Sequence, residues 1–177
     1  MTTNNITLGI DPGYATVGYG AIAYNKAKFE TLGYGAITTS ANSPFEQRLT
    51  EIYDDVCSLI STYRPAAVAV ERLFFSNNQK TGIDVAQARG VIILAAVKSG
   101  VQVTEYTPLQ VKQSVTGYGK ATKSQVQAMV MRFLSLESVP KPDDTADALA
   151  IAICHAHTFN SERSRQAGRV SLPRGGR

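Results

Sequence analysis

The chain has 177 residues, of which 44% are hydrophobic, and it carries a net charge of +4. These values are typical of one compact domain with a buried core, and they leave no room for a second full domain. No apolar run is long enough to cross a bilayer, and the first residues lack the basic start and apolar run of a signal peptide. We therefore expect a soluble, cytoplasmic protein with no membrane role. Cys57 and Cys154 lack CxxC spacing and are expected to be buried thiols.

The positive charge is unevenly distributed along the chain. Residues 72–141 have a net charge of +6, whereas residues 1–71 and 142–159 are each net negative. A basic middle beside two acidic clusters favours a polyanionic partner once the carboxylates are neutralised, and nucleic acid is the natural candidate. A lysine-rich solvated face is the alternative.

The first third of the chain predicts three strands followed by a helix. Residues 5–11 form an apolar run of β type that stops at Asp11-Pro12-Gly13, where proline removes a backbone donor and glycine allows a tight turn. Residues 17–24 and 29–38 are rich in β-branched, aromatic and glycine residues, which favours a three-stranded antiparallel meander. Ser43-Pro44-Phe45-Glu46 predicts a capping box with proline at the first helical position.

The middle of the chain predicts a buried strand, a helix and another strand. Residues 66–70 are a continuous run of small apolar residues, as expected of a strand covered on both faces, and Glu71 follows it. The helix predicted over about 81–99 is apolar almost all round. We expect one side to pack on the sheet and the other on a second copy of the chain, giving a homodimer; enclosure by neighbouring helices is the alternative. Residues 101–106 predict the fifth strand.

Three helices are predicted in the last third. Capping boxes at Thr107-Pro108-Leu109-Gln110 and Thr122-Lys123-Ser124-Gln125 mark the starts of two of them, and residues 144–159 form the third. The order of elements predicts an α/β fold, with a mixed five-stranded sheet and helices on both faces. We assign residues 1–159 to one domain and residues 160–177 to a basic, disordered C-terminal tail.

Four acidic residues lie at the ends of these apolar segments: Asp11, Glu71, Asp144 and Asp147. Converging carboxylates repel one another by roughly 4 kcal/mol per close pair at an effective dielectric near 20. A divalent cation relieves this repulsion, and ligands that are all oxygen favour Mg²⁺, with Mn²⁺ as a substitute. Two such ions about 4 Å apart are the usual means of in-line attack on a phosphodiester. We therefore predict one catalytic, metal-binding site.

The pattern leaves some of these assignments open. Asp144 and Asp147 are three residues apart and share a helix face, but Asp143 with Asp147 is also sterically allowed. Asp11 could merely end a strand at a turn, and Glu71 could form an ion pair at a sheet edge.

Basic and aromatic residues near these acids are candidates for DNA contact. Lys112 and Lys123 each lie near a helix start, where unpaired backbone amides also attract phosphate; a solvated surface is the alternative. Phe74 and Phe75 lie in a polar loop just after Glu71. They could pack in the core, or they could stack on an unpaired base beside the scissile phosphate.

Four segments in this order and spacing closely resemble the RuvC family of bacterial Holliday junction resolvases over about residues 5–159. They are Gly9-Ile10-Asp11-Pro12-Gly13, Val70-Glu71-Arg72-Leu73-Phe74, Thr116-Gly117-Tyr118-Gly119-Lys120-Ala121-Thr122-Lys123-Ser124-Gln125-Val126 and Asp144-Thr145-Ala146-Asp147-Ala148-Leu149-Ala150. The resemblance implies a ribonuclease H-like fold and a homodimer that makes paired, symmetric, Mg²⁺-dependent nicks in a four-way DNA junction. It also implies a role in recombination and repair, and a branch-migration complex of RuvA and RuvB type as partner.

The same resemblance implies roles for individual residues. The matching metal ligands are Asp11, Glu71, Asp144 and Asp147. Phe74 matches the aromatic residue that stacks in the junction, and Lys112 and Lys123 match lysines that bind DNA or assist catalysis. Nothing follows from it for Phe75, Tyr118 or the arginine-rich tail.

We therefore predict a structure-selective endodeoxyribonuclease that uses two Mg²⁺ ions and leaves 5′-phosphate and 3′-hydroxyl ends. Other classes share parts of the pattern. Actin-like and sugar-kinase-like ATPases also place Asp-x-Gly after a strand but hold nucleotide phosphates between two related domains. A non-catalytic junction-binding module would show the same charge pattern. A ribonuclease acting on RNA–DNA hybrids would differ in substrate alone.

Overall fold

The computed structural model describes residues 5–25, 28–73 and 79–170, with the side chains of 79–81 and 162–170 left aside. The strands are β1 (Asn5–Asp11), β2 (Thr16–Asn25), β3 (Lys28–Thr38), β4 (Ala67–Glu71) and β5 (Gln102–Tyr106). The helices are α1 (Phe45–Tyr63), α2 (Gln79–Lys98), α3 (Pro108–Thr116), α4 (Lys123–Leu134) and α5 (Asp143–Val170). Within these ranges, no helix combines the length and the apolar character needed to cross a membrane.

The five strands form one mixed sheet in the order β3-β2-β1-β4-β5. β1, β2 and β3 pair antiparallel, which confirms the predicted meander, whereas β4 pairs parallel to both β1 and β5. Ile10 of β1 is opposite Val70 of β4. Because parallel strands end at the same edge of a sheet, Asp11 and Glu71, the next residues, emerge side by side.

Helices cover both faces of the sheet, as predicted, and each face has its own core. On one face α5 and α4 pack on the sheet and α3 packs against these two helices, around residues such as Ile22 and Leu149. On the other face α1 and α2 enclose residues such as Leu8, Ile52 and Ile92. The resulting three layers bury the interior of the sheet and leave the strand ends available for a site.

Glycines allow α5 to lie directly on β1 and β2. A Cβ atom added to Gly9 would lie 2.2 Å from the carbonyl oxygen of Ala148, and one added to Gly18 would lie 2.0 Å from that of Asp144. Both distances are far below van der Waals contact, so no larger residue fits at either position without moving the helix. The close approach brings the first turn of α5, with its acidic residues, onto the edge where β1 ends.

Two of the three predicted capping boxes are present. Thr107 and Thr122 each accept a hydrogen bond from the backbone of the glutamine three residues later, whose side chain bonds back to the threonine N–H. The capping box predicted at Ser43 is wrong. Pro44 itself occupies the N-cap position with an extended backbone, and it provides no capping side chain. Ser43 is therefore one residue too early to cap α1.

The last helix is longer than the sequence analysis predicts. α5 continues to Val170, so a helix end at residue 159 is wrong. Residues 160–167 contain neither glycine nor proline and include glutamate, arginine, glutamine and alanine, all good helix formers. The division into a domain over 1–159 and a tail over 160–177 stays a prediction, and residues 171–177 lie outside the described part of the chain.

Both cysteines are free thiols. Cys154 of α5 is buried, and this burial raises the pKa of its thiol to about 11. Cys57 of α1 is only half-buried, so the prediction of a buried thiol is confirmed for Cys154 and wrong for Cys57.

Gly9→Ala tests the close packing of α5 on β1. We expect it to lower the free energy of unfolding by about 1–3 kcal/mol or more, because the new methyl group meets helix backbone that cannot rotate away. Gly119→Ala is the matched control: its Cβ would lie 2.6 Å from the tip of the exposed Leu109 side chain, which can move. Urea denaturation measures both changes, and equal effects of the two substitutions would contradict the packing argument.

Candidate active site

Asp11 is the centre of an electrostatic cluster at the edge where β1 and β4 end. Burial is the largest of the causes that raise the pKa of Asp11 from 3.8 to about 8. The negative charge of Glu71, and then those of Asp147 and Asp144, raise the pKa of Asp11 further. The ammonium of Lys123 acts in the opposite direction. The structure therefore brings the four predicted acids together closely enough for each to act on Asp11.

Glu71 and Asp147 respond to the same surroundings. Burial is the first cause that raises the pKa of Glu71, and the charge of Asp147 raises it further, against the attraction of Lys112. Burial also raises the pKa of Asp147, although a hydrogen bond from Lys123 opposes the shift. The ionised cluster is thus unfavourable without added positive charge.

Lys123 provides part of that positive charge. Its Nζ lies 3.1 Å from Oδ2 of Asp147 and 3.3 Å from Oδ2 of Asp143. Burial lowers the pKa of Lys123, but the hydrogen bonds and charges of Asp147 and Asp143 outweigh it, so that the net shift is upward. Lys123 is the first residue of α4, and the capping box at Thr122 fixes the helix start that carries it.

The structure separates Asp143 from Asp144. Asp143 is held at the surface between Lys141, 2.8 Å from its Oδ1, and Lys123, and these two lysines keep the pKa of Asp143 below its ordinary value. The charge of Asp144 instead acts on Asp11, and the backbone of Asp144 lies against Gly18 of β2. This placement favours Asp144 as the partner of Asp147, and its role as a metal ligand stays a prediction.

A cavity of about 240 Å³ opens beside the acids. Glu71 and Asp147 line it together with both predicted lysines, Lys112 and Lys123. Apolar side chains from α3, α4 and α5 complete its walls: Pro108, Val111, Val126 and Ala150. Carboxylates and ammonium groups therefore share one concave surface, as a site for a phosphate with bound cations requires. Phe74 lies outside the described residues, so its stacking role stays a prediction.

One ionic network beside the site was missed by the sequence analysis. Arg89 of α2 donates from Nε to the carbonyl oxygen of Glu71 at 3.2 Å, and from its terminal nitrogen to Glu105 of β5. Arg72 also reaches Glu105, at 3.4 Å. The signal in the sequence is that Arg89 is the one charged residue in the otherwise apolar run 88–97.

The chemistry of the donors fits a hard divalent cation, although their present spacing does not yet form a closed site. All four acids offer oxygen, the ligand that Mg²⁺ and Mn²⁺ prefer. Among the described side chains, no three from His, Cys, Asp and Glu lie close enough together to hold a metal ion. Lys123 pairs with Asp147 and compensates part of the charge that a cation would neutralise. The carboxylates would therefore have to draw together around a cation that replaces this ammonium.

Strand order, three layers and acids at the strand ends define an α/β protein of the ribonuclease H-like class with an acidic site at the sheet edge. The chain belongs to the family described as crossover junction endodeoxyribonuclease RuvC, whose model matches residues 7–155. This confirms the family resemblance and the fold class predicted from the sequence.

Individual relatives agree with this assignment. A crossover junction endodeoxyribonuclease RuvC of Clostridioides difficile is 55% identical over 159 residues, which cover 90% of this chain and 94% of the relative. The structure of T. thermophilus RuvC in complex with Holliday junction substrate is 37% identical, with a TM-score of 0.85, and covers 89% of this chain and 96% of that one. The yeast mitochondrial Holliday junction resolvase is 14% identical with a TM-score of 0.67, covers 96% of this chain and 87% of that one, and shows the fold alone.

The raised pKa of Asp11 predicts how stability of the metal-free protein depends on pH. Because the folded pKa lies above the ordinary value of 3.8, the contribution of Asp11 is fully present below about pH 4 and is lost as the pH rises through about 8. A tenfold change in an acid dissociation constant on folding corresponds to about 1.4 kcal/mol. Glu71 and Asp147 act with the same sign.

We therefore expect Asp11→Asn to raise the melting temperature at about pH 9 without metal and to flatten its fall between about pH 5 and 9. Thermal denaturation in a chelating buffer measures this. Asp143→Asn is the control, because the pKa of Asp143 is lowered. In this variant the melting temperature should still fall as the pH rises. Parallel curves for the Asp11 variant and the unsubstituted protein would contradict the electrostatic account.

Proposed function

We propose that the protein is a divalent-metal-dependent endodeoxyribonuclease that resolves four-way DNA junctions by paired, symmetric nicks. The observation that carries the proposal is that the charges of Glu71, Asp147 and Asp144 all act on Asp11, beside a cavity that two of these acids share with Lys112 and Lys123, in a chain of the RuvC family. Such a cluster is unfavourable to the fold, as the raised pKa values show, and its use is to bind cations. The products are ends with 5′-phosphate and 3′-hydroxyl groups, in recombination and repair.

The acids and the lysines around the cavity have different roles in this proposal: the acids bind metal, and the lysines bind the phosphates of DNA. Asp11, Glu71, Asp144 and Asp147 would hold the cations, with Mg²⁺ as the natural ion and Mn²⁺ as a substitute. When bound, a pair of such ions supplies activation of the attacking water and stabilisation of the leaving 3′-oxygen. Without them the carboxylates repel the phosphodiester, so DNA binding at this edge depends on neutralising the cluster.

Lys112 and Lys123 orient the DNA backbone in this proposal. Both line the cavity, and both attract the acids. Lys112 lowers the pKa of Glu71 and Lys123 lowers the pKa of Asp147, each against the effect of burial. Their ammonium groups can turn to a phosphate oxygen when the charge on the acids is compensated. Lys123 is about half exposed, which leaves it access to a ligand.

We also propose that the functional unit is a homodimer formed through α2. Ile83, Leu94 and Val97 of this helix are 54%, 51% and 60% exposed, an unusual exposure for aliphatic side chains at helical spacing. Gly90 lies on the same side, and a Cβ there would meet nothing within 4 Å, so a second helix could approach closely. A two-fold dimer places two identical sites for two symmetric cuts. A branch-migration complex of RuvA and RuvB type stays a prediction of the family resemblance.

The acids can be tested one at a time on a mobile four-way junction with Mg²⁺. We expect Asp144→Asn and Asp147→Asn each to lower the nicking rate by about 100-fold or more, because each removes one charge from the cation site. Junction binding without cleavage stays within about threefold. Gel assays of nicking and of mobility measure the two quantities.

Asp143→Asn is the matched control, since Asp143 is the adjacent acid but faces Lys141 at the surface. We expect it to keep most of the activity. Full activity of the Asp147 variant, or loss with Asp143→Asn equal to that with Asp144→Asn, would contradict the assignment. An RNA–DNA hybrid duplex in the same assay tests the substrate, and preferential cleavage of the hybrid would favour a ribonuclease.

Leu94→Glu tests the dimer. Placing a charge on the exposed face of α2 should convert the protein to a monomer, because an unpaired carboxylate would be buried at the interface. Analytical ultracentrifugation measures the mass. Leu109→Glu is the control, since Leu109 of α3 is 62% exposed on another helix. A monomeric unsubstituted protein, or an unchanged dimer with Leu94→Glu, would contradict the proposed interface.

A further inference from the structure

We propose that Arg89 is a positioning residue for the metal site, acting by fixing the end of β4 that carries Glu71. The inference rests on the proposed function, because it concerns how the proposed ligand Glu71 is held. Among the described residues, Arg89 hydrogen-bonds to no carboxylate of the four-acid cluster and does not line the cavity; it donates to the carbonyl oxygen of Glu71 and to the carboxylate of Glu105.

The end of β4 needs such support on one side. The pairing of β4 with β1 ends at Val70, opposite Ile10, so Glu71 lies just beyond the last paired position on the side of Asp11. On the other side Glu71 is opposite Tyr106 of β5, and the N–H of Arg72 donates to the Tyr106 carbonyl at 2.8 Å. The backbone of Glu71 is therefore held by one neighbouring strand and by Arg89.

The side chain of Arg89 is itself fixed in place. Its guanidinium binds Glu105 with one nitrogen and the Glu71 carbonyl with Nε, and only 16% of the side chain is exposed. A planar guanidinium that is held at two points has little freedom to rotate. The hydrogen bonds of Arg89, followed by those of Arg72, hold the pKa of Glu105 below its ordinary value, so the anchor remains charged.

The helix that carries Arg89 is also fixed in place. Ala88 and Ile92, the neighbours of Arg89 in sequence and one turn on, are fully buried against the sheet. Arg89 thus connects a buried helix to the backbone carbonyl of Glu71. Because the carbonyl and the carboxylate belong to the same residue, holding the carbonyl restricts the backbone from which the Glu71 side chain extends toward the acidic cluster.

Arg72 provides a matched control. It binds the same carboxylate of Glu105, with Nε 3.4 Å from Oε2, but its side chain is 58% exposed and is not bonded to the Glu71 carbonyl. Loss of either arginine removes one positive charge and one contact with Glu105. The two substitutions differ in the bond to Glu71, which is the feature that the proposal invokes, and in the burial of the arginine side chain.

The experiment measures binding of Mn²⁺ alone to the full chain, from the electron paramagnetic resonance signal of the free ion. We expect Arg89→Met to weaken Mn²⁺ binding by about tenfold, the usual effect of losing a group that orients a metal ligand. Arg72→Met should change it by less than about twofold, as expected of an exposed ion pair. Arg89→Lys should fall between, because one ammonium cannot reach both the carbonyl and the carboxylate.

Glu105→Gln keeps the test decisive if Arg89→Met does not fold. It removes the charge that orients Arg89 and should weaken Mn²⁺ binding by about threefold or more, in a protein whose melting curve shows that it is folded. The inference would be overturned if Arg89→Met is folded and its Mn²⁺ affinity is within about twofold of that of the unsubstituted protein. If Arg89→Met is unfolded, the same result for folded Glu105→Gln would overturn it. So would an equal loss with Arg72→Met.

The outcome is separable from that of the proposed function. If the unsubstituted protein binds Mn²⁺ and the Arg89 variants weaken it, but no junction is nicked, the proposed activity fails and the positioning role stands. If the unsubstituted protein nicks junctions and the Arg89 variants bind Mn²⁺ normally, the positioning role alone fails.

Discussion

The repulsion among carboxylates at one edge of the sheet is the constraint on which the rest of this structure depends. Burial and neighbouring charges raise the pKa of Asp11 to about 8, and they raise those of Glu71 and Asp147 as well. A stable protein does not need this arrangement, because neutral residues of similar size would avoid the penalty. In the proposed function, these acids would hold a divalent cation, which would neutralise them and supply polarisation of a phosphate. Lys123, paired with Asp147, lessens the penalty.

The fold positions this cluster with parts that are rigid for simple reasons. Parallel pairing of β1 with β4 aligns the two strand ends, and Gly9 and Gly18 let α5 press its acidic first turn onto the same edge. The capping box at Thr122 fixes the start of α4 and with it Lys123, whose ammonium lies beside Asp147. Each acid thus comes from an element that is fixed by backbone contacts rather than by its own side chain, so the site can change its charge without unfolding its supports.

Sequence patterns predicted most of the fold because periodicity and capping are local. The meander, the buried β4, and the caps at Thr107 and Thr122 are confirmed. The cap at Ser43 failed because one residue of register, set by Pro44, decides which side chain reaches the helix amides. The family and fold class are likewise confirmed.

The site itself could be predicted less completely, because its details depend on contacts between distant segments. The pattern favoured Asp144 but left Asp143 open as an alternative, and the two separate when Lys141 and Lys123 are seen to hold Asp143 at the surface. Arg89 was missed because its lone charge in an apolar run does not reveal its partner, which lies 18 residues earlier in the chain. The most direct test of the cation site is a crystal soaked in Mn²⁺ and measured at the manganese absorption edge. We expect two anomalous peaks about 4 Å apart among the four acids, with the Lys123 ammonium displaced from Asp147. Peaks elsewhere, or a Lys123 still paired with Asp147 beside bound metal, would contradict it.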